Sequence, residues 1–275
     1  MTAVERRGGA PSLRSPYLVA TVTDRRGVSV GVVADASSSV VEIKVHGHWS
    51  QQLGEQITAG LGLCLAGPSE AIIIDLRDFS DRHGLSLRYW LAAQREARGG
   101  ALPVGLALCV PPATMLGYRL RHHEGNPLPL FATMGEARAA VVGRLRRSHR
   151  WQTRLAPVPV SVRAARDLVE LACHTWQLHD LRQDAALVMS ELAANAVEHA
   201  GTDFVLTVLR RGRDLHLAVR DGDTRYPRLV ESTHAGPRLP VVEGGRGLML
   251  VHAVAARWGA IPAHGGKVVW ATVSA

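Results

Sequence analysis

The chain has 275 residues, a formal net charge of +8 and a hydrophobic fraction of 47%, a length that exceeds one typical domain and allows two separate cores. No window approaches the roughly 18–20 uninterrupted apolar residues of a membrane span, and the start, with Arg6, Arg7 and Arg14, has no apolar segment of a secretory signal, so the expectation is a cytoplasmic protein without membrane contact. The positive charge comes from scattered arginines, Lys44 and Lys267 being the only lysines, which argues against a nucleic-acid partner.

Cys64, Cys109 and Cys173 are odd in number, widely spaced and set among apolar residues, as reduced core thiols are and a disulfide framework or zinc site is not. Residues 1–37 read as an N-terminal extension, disordered over its polar first 16 residues and then a short hairpin over 17–33, with Leu18, Ala20 and Val22 alternating before a second run from Val28. From residue 40, Val41, Ile43 and Val45 alternate with Glu42, Lys44 and His46, a half-buried strand. A helix is predicted over 51–65, and Ala71-Ile72-Ile73-Ile74-Asp75 reads as a strand buried on both faces. Helix 84–98, strand 102–110, helix 112–122, strand 128–131 and helix 134–147 follow; strands alternating with helices imply a mostly parallel sheet. Arg144, Arg146, Arg147, His149 and Arg150 gather at the end of that last helix, either a solvated helix end favoured by the dipole or a contact for an acidic partner.

Pro157 and Pro159 mark a break, and residues 148–160 read as a linker plus the first strand, 151–155, of a second unit spanning 161–275. Ser161 is the expected N-cap of helix 162–176, whose apolar face is read as Ala164, Leu168, Leu171 and Ala172. The helix over 181–200 places Glu191, Asn195 and His199 four apart on one face, with Val188, Met189, Leu192 and Ala196 on another. Alternating strands over 203–211 and 214–221, a loop over 222–245, a helix over 247–256 and strands near 258–264 and 267–273 complete the pattern. His46 with His48, and His122 with His123 and Glu124, lack further ligands and read as ordinary histidines.

A carboxylate, an amide and an imidazole along one groove can hold a metal-bound phosphate, and Asn195 offers the hard oxygen that Mg²⁺ prefers. Downstream, Asp221-Gly222-Asp223 ends a strand, and Gly244-Gly245-Arg246-Gly247-Leu248 opens a helix. Glycines there let backbone N–H groups approach an anion at the helix N-terminus, and Arg246 adds a charge-assisted contact. No G-x-x-x-x-G-K-[ST] run is present, so the site is not a P-loop.

This order resembles the GHKL (Bergerat-type) ATP-binding fold, and Ser190-Glu191-Leu192-Ala193-Ala194-Asn195-Ala196-Val197-Glu198-His199-Ala200-Gly201 looks most like the bacterial anti-sigma-factor serine kinases. The resemblance implies ATP and Mg²⁺ as cofactors, Glu191 as catalytic base, Asn195 as metal ligand, and a nucleotide site made of Asn195, His199, Asp221, Gly222, Gly244, Gly245, Arg246 and Gly247, with Asp221 accepting from the adenine amine. Asp223 stands where relatives carry glycine, and Val268, in Gly265-Gly266-Lys267-Val268-Val269-Trp270, where a threonine often sits.

Residues 38–147 resemble a STAS domain, the fold of anti-sigma-factor antagonists, through Ile72-Ile73-Ile74-Asp75-Leu76-Arg77-Asp78-Phe79-Ser80-Asp81-Arg82-His83-Gly84-Leu85. Arg82 occupies the position of the phosphorylated serine and His83 follows it, so the expectation is a docking, dimerising or permanently paired module rather than a phosphorylated switch. Together the resemblances imply an α/β protein, a STAS-like βα domain fused to a GHKL α/β sandwich. Its activity would be that of a protein serine/threonine kinase acting on an anti-sigma-factor antagonist and controlling a sigma factor, with a homodimer in keeping with the family. The alternative is a non-catalytic, nucleotide-responsive or decoy scaffold acting through the STAS-like half.

Overall fold

The computed structural model describes residues 17–18, 22–23, 29–34, 40–67, 69–99, 103–125, 128–144, 149–227 and 246–275. The architecture is mixed α/β. Strands of both halves of the chain join in one 13-stranded sheet.

In the N-terminal half, β1 (Tyr17–Leu18), β2 (Val22–Thr23) and β3 (Ser29–Ala34) precede β4 (Val40–His48), β5 (Ala71–Asp75), the short β6 (Phe79–Ser80), β7 (Gly105–Cys109) and β8 (Leu130–Phe131). Pairs β4–β5, β5–β7 and β7–β8 are parallel, as the alternation of strands and helices requires, and β3 adds antiparallel to β4. β2 and β3 form an antiparallel ladder, the later part of the expected hairpin; residues 24–28 between them, like residues 1–16, lie outside the described residues. β5 is buried throughout: Ile72 and Ile74 face the core beneath α1 (Gln51–Ala66) and α2 (Leu87–Gly99), while Ala71 and Ile73 face α4 (Met134–Arg144).

Two helix starts in this half are set by side-chain caps. Ser50 caps α1, accepting from Leu53 N at 3.2 Å, and Thr114 caps α3 (Met115–Arg121), accepting from Gly117 N at 3.1 Å. α2 begins three residues later than the sequence suggests because Gly84 has φ +63°, a left-handed value that cannot continue a helix. Asp81 satisfies the turn that remains: its carboxylate accepts from Leu85 N at 3.0 Å, Ser86 N at 2.8 Å and Ser86 Oγ at 2.6 Å.

The C-terminal half runs β9 (Arg150–Leu155), α5 (Val160–Thr175), α6 (Arg182–Asn195), β10 (Phe204–Arg211), β11 (Asp214–Asp221), α7 (Arg246–Val254), β12 (Arg257–Ala263) and β13 (Gly266–Val273). Its strands are antiparallel in the order β12-β13-β11-β10-β9, and the helices cover one face, burying Val188, Met189, Leu192 and Ala196 as expected. Two local expectations are corrected. Ser161 does not cap α5: Pro159, already helical at φ −55° and ψ −33°, precedes the helix, and Ser161 is buried in its first turn. The buried face of α5 is Ala165, Val169, Ala172 and Cys173, one residue round from the expected stripe, and Leu171 is 56% exposed. The two faces are nearly equally apolar in sequence, and packing on α6 selects between them.

Each half has a hydrophobic cluster of its own, and a third cluster is common to both. β12 carries both at its outer edge: β1 pairs with it in parallel (Tyr17 opposite Gly259), and Ala34 of β3 lies opposite Ala263. One hydrophobic cluster combines Val30, Val32, Leu61 and Cys64 with Ile261, Val268 and Trp270 of the closing strands. Thus the sheet face of the C-terminal half that its own helices leave open is covered by the N-terminal half, around α1. Arg211 Nη1 donates to Ser69 O at 3.0 Å across the same boundary. Cys64, Cys109 and Cys173 are unpaired and buried, and burial pushes the Cys64 thiol up to about 12.

Candidate functional site

α6 carries Glu191 and Asn195 on one half-buried face. Beyond Asn195 the helix widens into a π-turn over Ala196–Ala200 and ends at Gly201, whose N–H donates to Ala196 O at 3.3 Å and whose φ is +60°. A π-turn takes more residues per turn than an α-helix, so His199 is rotated from the position that strict four-residue spacing gives it. It remains on the rim of the same cleft, exposed.

That cleft, about 580 Å³, opens where the end of α6 meets the ends of β11 and β13 and the start of α7; Asn195, His199 and Asp221 line it together with Lys267, Tyr226 and Leu248. Its size is that of a small-molecule site. Asn195 Nδ2 is buried there with no hydrogen-bond partner among the described residues, and a buried amide without a partner is costly unless a ligand or water meets it.

The floor of the cleft is an ion pair that β-register brings together. Asp221 closes β11 and lies opposite Lys267 on β13. Lys267 Nζ donates to Asp221 Oδ1 at 2.9 Å and to Asp223 O at 3.0 Å, with side-chain exposures of 8% for Lys267 and 4% for Asp221. The strands meet closely here because Gly266 has no side chain: a Cβ on it would overlap the Asp221 carbonyl. Asp221 Oδ1 also accepts from Asp223 N at 2.9 Å, and Asp223 Oδ1 from Arg225 N at 3.0 Å, so successive aspartates fold the turn onto itself. The Arg225 side chain and backbone, and the charge of Lys267, hold the Asp223 carboxyl down at about 2. Gly222 N donates to Thr202 Oγ1 at 2.9 Å, tying the turn to the segment after α6.

Glu191 stands one helical turn before Asn195, against the first turn of α7. A Cβ on Gly247 would lie 2.5 Å from Glu191 Oε2, so the bare backbone of Gly247 is what lets α7 approach the carboxylate. Burial, and secondly the nearby Glu198 carboxylate, push the Glu191 carboxyl above its ordinary value, which brings it nearer the range of a useful proton acceptor. Arg246 opens α7; its side chain and the whole of Gly244 and Gly245 lie outside the described residues. The structure therefore gathers Asn195, His199 and Asp221 into one cleft, with Glu191 and Gly247 in contact range of each other beside it and Gly222 in the turn behind Asp221.

Residues 155–273 match the family described as Histidine kinase-like ATPase domain. The C-terminal half is a histidine kinase-like ATPase domain. Among solved structures, an anti-sigma factor antagonist from Mycobacterium paratuberculosis is similar at 18% identity and TM-score 0.34, covering 44% of this chain and 99% of that one. The RsbU and RsbW domains of a Mycobacterium tuberculosis protein are similar at 17% identity and TM-score 0.34 over 46% of this chain, which spans only 32% of theirs. A search of the curated proteins finds no match.

Sequence reasoning had no role for Lys267 in the ATPase domain beyond its place in a glycine-rich segment, nor for Thr202 and Tyr226. The signal for Lys267 is the register of β11 against β13, a long-range fact that local periodicity does not carry. Asp223, a departure from the family pattern, gains a structural account: its carbonyl takes the lysine and its carboxylate takes Arg225.

Proposed function

We propose that the ATPase domain binds Mg-ATP and transfers the γ-phosphoryl group to a Ser or Thr hydroxyl of a separate anti-sigma-factor antagonist, and that the chain thereby regulates a sigma factor in the cytoplasm. The observation that carries this reading is the convergence of Asn195 and Asp221 on one cleft, where the Asn195 amide nitrogen is buried without a partner among the described residues. The residues fit the nucleotide: the amide oxygen of Asn195 would hold the metal and its buried N–H a phosphate oxygen or water, Asp221 would accept from the adenine amine, and the start of α7 would offer backbone donors to phosphate. When bound, ATP supplies the phosphoryl group, and Mg²⁺ the charge neutralisation on which such transfer depends. Glu191, its carboxyl raised by burial, accepts the proton of the incoming hydroxyl. His199 on the rim and Arg246 at the head of α7 are assigned to phosphate, and Gly222, Gly244, Gly245 and Gly247 to the nucleotide site as the resemblance implies.

The acceptor lies on another molecule. In the N-terminal half Arg82 and His83 are exposed at the positions before α2, and the nearby Ser86 is fully buried, donating to Asp81 and accepting from Trp90 Nε1 at 3.0 Å. Those residues suit a module that covers the back of the ATPase sheet, and this favours the second reading for that half: a fixed scaffold or docking partner. Chain division near residues 148–160, and any homodimer, belong to the same proposal.

The test is calorimetric titration of the full chain with ATP, with and without Mg²⁺, beside Asn195→Ala. Magnesium-dependent binding that the variant loses supports the site. Absence of binding by folded wild type leaves the scaffold reading alone.

A further inference from the structure

The Lys267–Asp221 pair lies on the lining of the cleft. An ammonium has three N–H donors. Lys267 spends one on Asp221 Oδ1 at 2.9 Å and one on Asp223 O at 3.0 Å, and Asp223 Oδ2 lies 3.6 Å away, beyond hydrogen-bonding length. The side chain is 8% exposed and lines the cleft, and its third N–H meets no acceptor within hydrogen-bonding length among the described residues. On the other side of the pair, Asp221 Oδ1 already accepts from Lys267 and from Asp223 N, which leaves Oδ2 as the acceptor that the carboxylate can offer.

We propose that Lys267 is a specificity-determining residue of the nucleotide site: it donates to N1 of adenine while Asp221 Oδ2 accepts from the 6-amine, and by occupying Oδ1 it disfavours guanine. The inference rests on the nucleotide-site reading above. Adenine presents one donor beside one acceptor on its Watson–Crick edge and so matches one carboxylate oxygen beside one ammonium N–H. Guanine presents two adjacent donors, N1–H and the 2-amine, beside its O6 acceptor, and needs both oxygens of a carboxylate. A buried site that is built to pair a polar group rejects the analogue lacking it more strongly than a methylene pocket rejects a size change. The rigid placement of Nζ, fixed by two acceptors on the β11 turn, is what makes a lysine selective here rather than a mobile point charge.

The measurement is equilibrium binding to the full chain of ATP, of 1-deaza-ATP, in which N1 is replaced by C–H, and of GTP, repeated on Lys267→Met with its melting temperature checked. A hydrogen bond from a charged donor is worth about a ten- to hundredfold change in affinity. Wild type is expected to bind ATP at least about tenfold more tightly than 1-deaza-ATP and than GTP. Lys267→Met is expected to bind ATP and 1-deaza-ATP alike and to narrow the gap to GTP, because Oδ1 then keeps only the Asp223 N–H and regains acceptor capacity. Wild type binding ATP and 1-deaza-ATP equally overturns the role of Lys267 while leaving the nucleotide site standing; wild type binding GTP as tightly as ATP overturns the exclusion of guanine. Folded wild type that binds no ATP overturns the nucleotide-site reading and this inference with it. The analogue comparison on wild type needs no variant, so it decides even if Lys267→Met does not fold.

Discussion

The ring of Trp270, on the last strand, packs against Gly67 at the end of α1, close enough that a Cβ on Gly67 would stand 3.4 Å from it. Trp270 is fully buried, in the cluster that also holds Ile57, Leu61 and Cys64. One side chain of the ATPase domain is therefore a core residue of the N-terminal half. Trp270→Ala is expected to cost about 3–5 kcal/mol, and the two halves are expected to unfold in a single transition. Calorimetric unfolding checks this; two independent transitions, only one of them shifted by the substitution, would contradict the shared core.

His216 lies beneath that same covered face, 2% exposed, with Nδ1 2.7 Å from Thr272 Oγ1. Burial, with the charges of Arg211 and Arg257, drives its imidazole down to about 3. In the unfolded chain a histidine binds its proton near pH 6.5. Below that pH the unfolded state holds the additional proton, so the His216 contribution falls as pH drops from about 6.5 towards 3, by up to about 1.4 kcal/mol per pH unit. Urea denaturation of wild type and His216→Gln at pH 7.5, 6.0 and 5.0 tests this. The stability difference between them should shrink toward acid, in a window above the titration of the carboxylates.

Glu191→Gln removes the proton acceptor and keeps the shape. Phosphoryl transfer to an antagonist protein is expected to fall by about 10²–10⁴ while ATP affinity changes little. Single-turnover transfer and equilibrium binding on the same preparation separate the two, and transfer at the wild-type rate would take Glu191 out of the mechanism.

Gly247→Ala places a methyl against Glu191 Oε2, where the gap is 2.5 Å. Overpacking of this kind costs about 1–3 kcal/mol, and here it is relieved by moving the carboxylate or the first turn of α7. Transfer is expected to drop by more than the melting temperature implies, and Glu191→Ala added to Gly247→Ala should restore stability by removing the clash.

Asp81→Ala takes three hydrogen bonds from the turn before α2. The expected loss is about 1–2 kcal/mol, that of a helix cap, read by denaturant unfolding. Ser86 should then become accessible to a kinase that leaves it unmodified in wild type, a result mass spectrometry reads directly.

Local patterning made much of this molecule legible. The alternation of Val41, Ile43 and Val45, the unbroken run at Ala71–Asp75, and the paired strands Phe204–Arg211 and Asp214–Asp221 each carry their period in consecutive residues. The grouping of Asn195, His199 and Asp221 followed from motif order. What escaped the sequence depends on contacts between distant segments. Which stripe of α5 is buried was decided by α6, since Leu168 and Leu171 offered nearly the same apolar content as Val169 and Cys173. The helix widening after Asn195 and the late start of α2 follow from backbone geometry at Gly201 and Gly84, which a helical period does not register. The pairing of Lys267 with Asp221 and the pairing of β1 and β3 with β12 bring together residues 46, 242 and 229 positions apart, as at Lys267 and Asp221, Tyr17 and Gly259, and Ala34 and Ala263. The sequence by itself determined the order and type of the main elements, because those rest on neighbours along the chain. Only the tertiary structure decided that the two halves share one sheet and one of their hydrophobic clusters and that a lysine closes on the aspartate of the cleft, because strand register and face selection are fixed by burial between segments that sequence proximity does not connect.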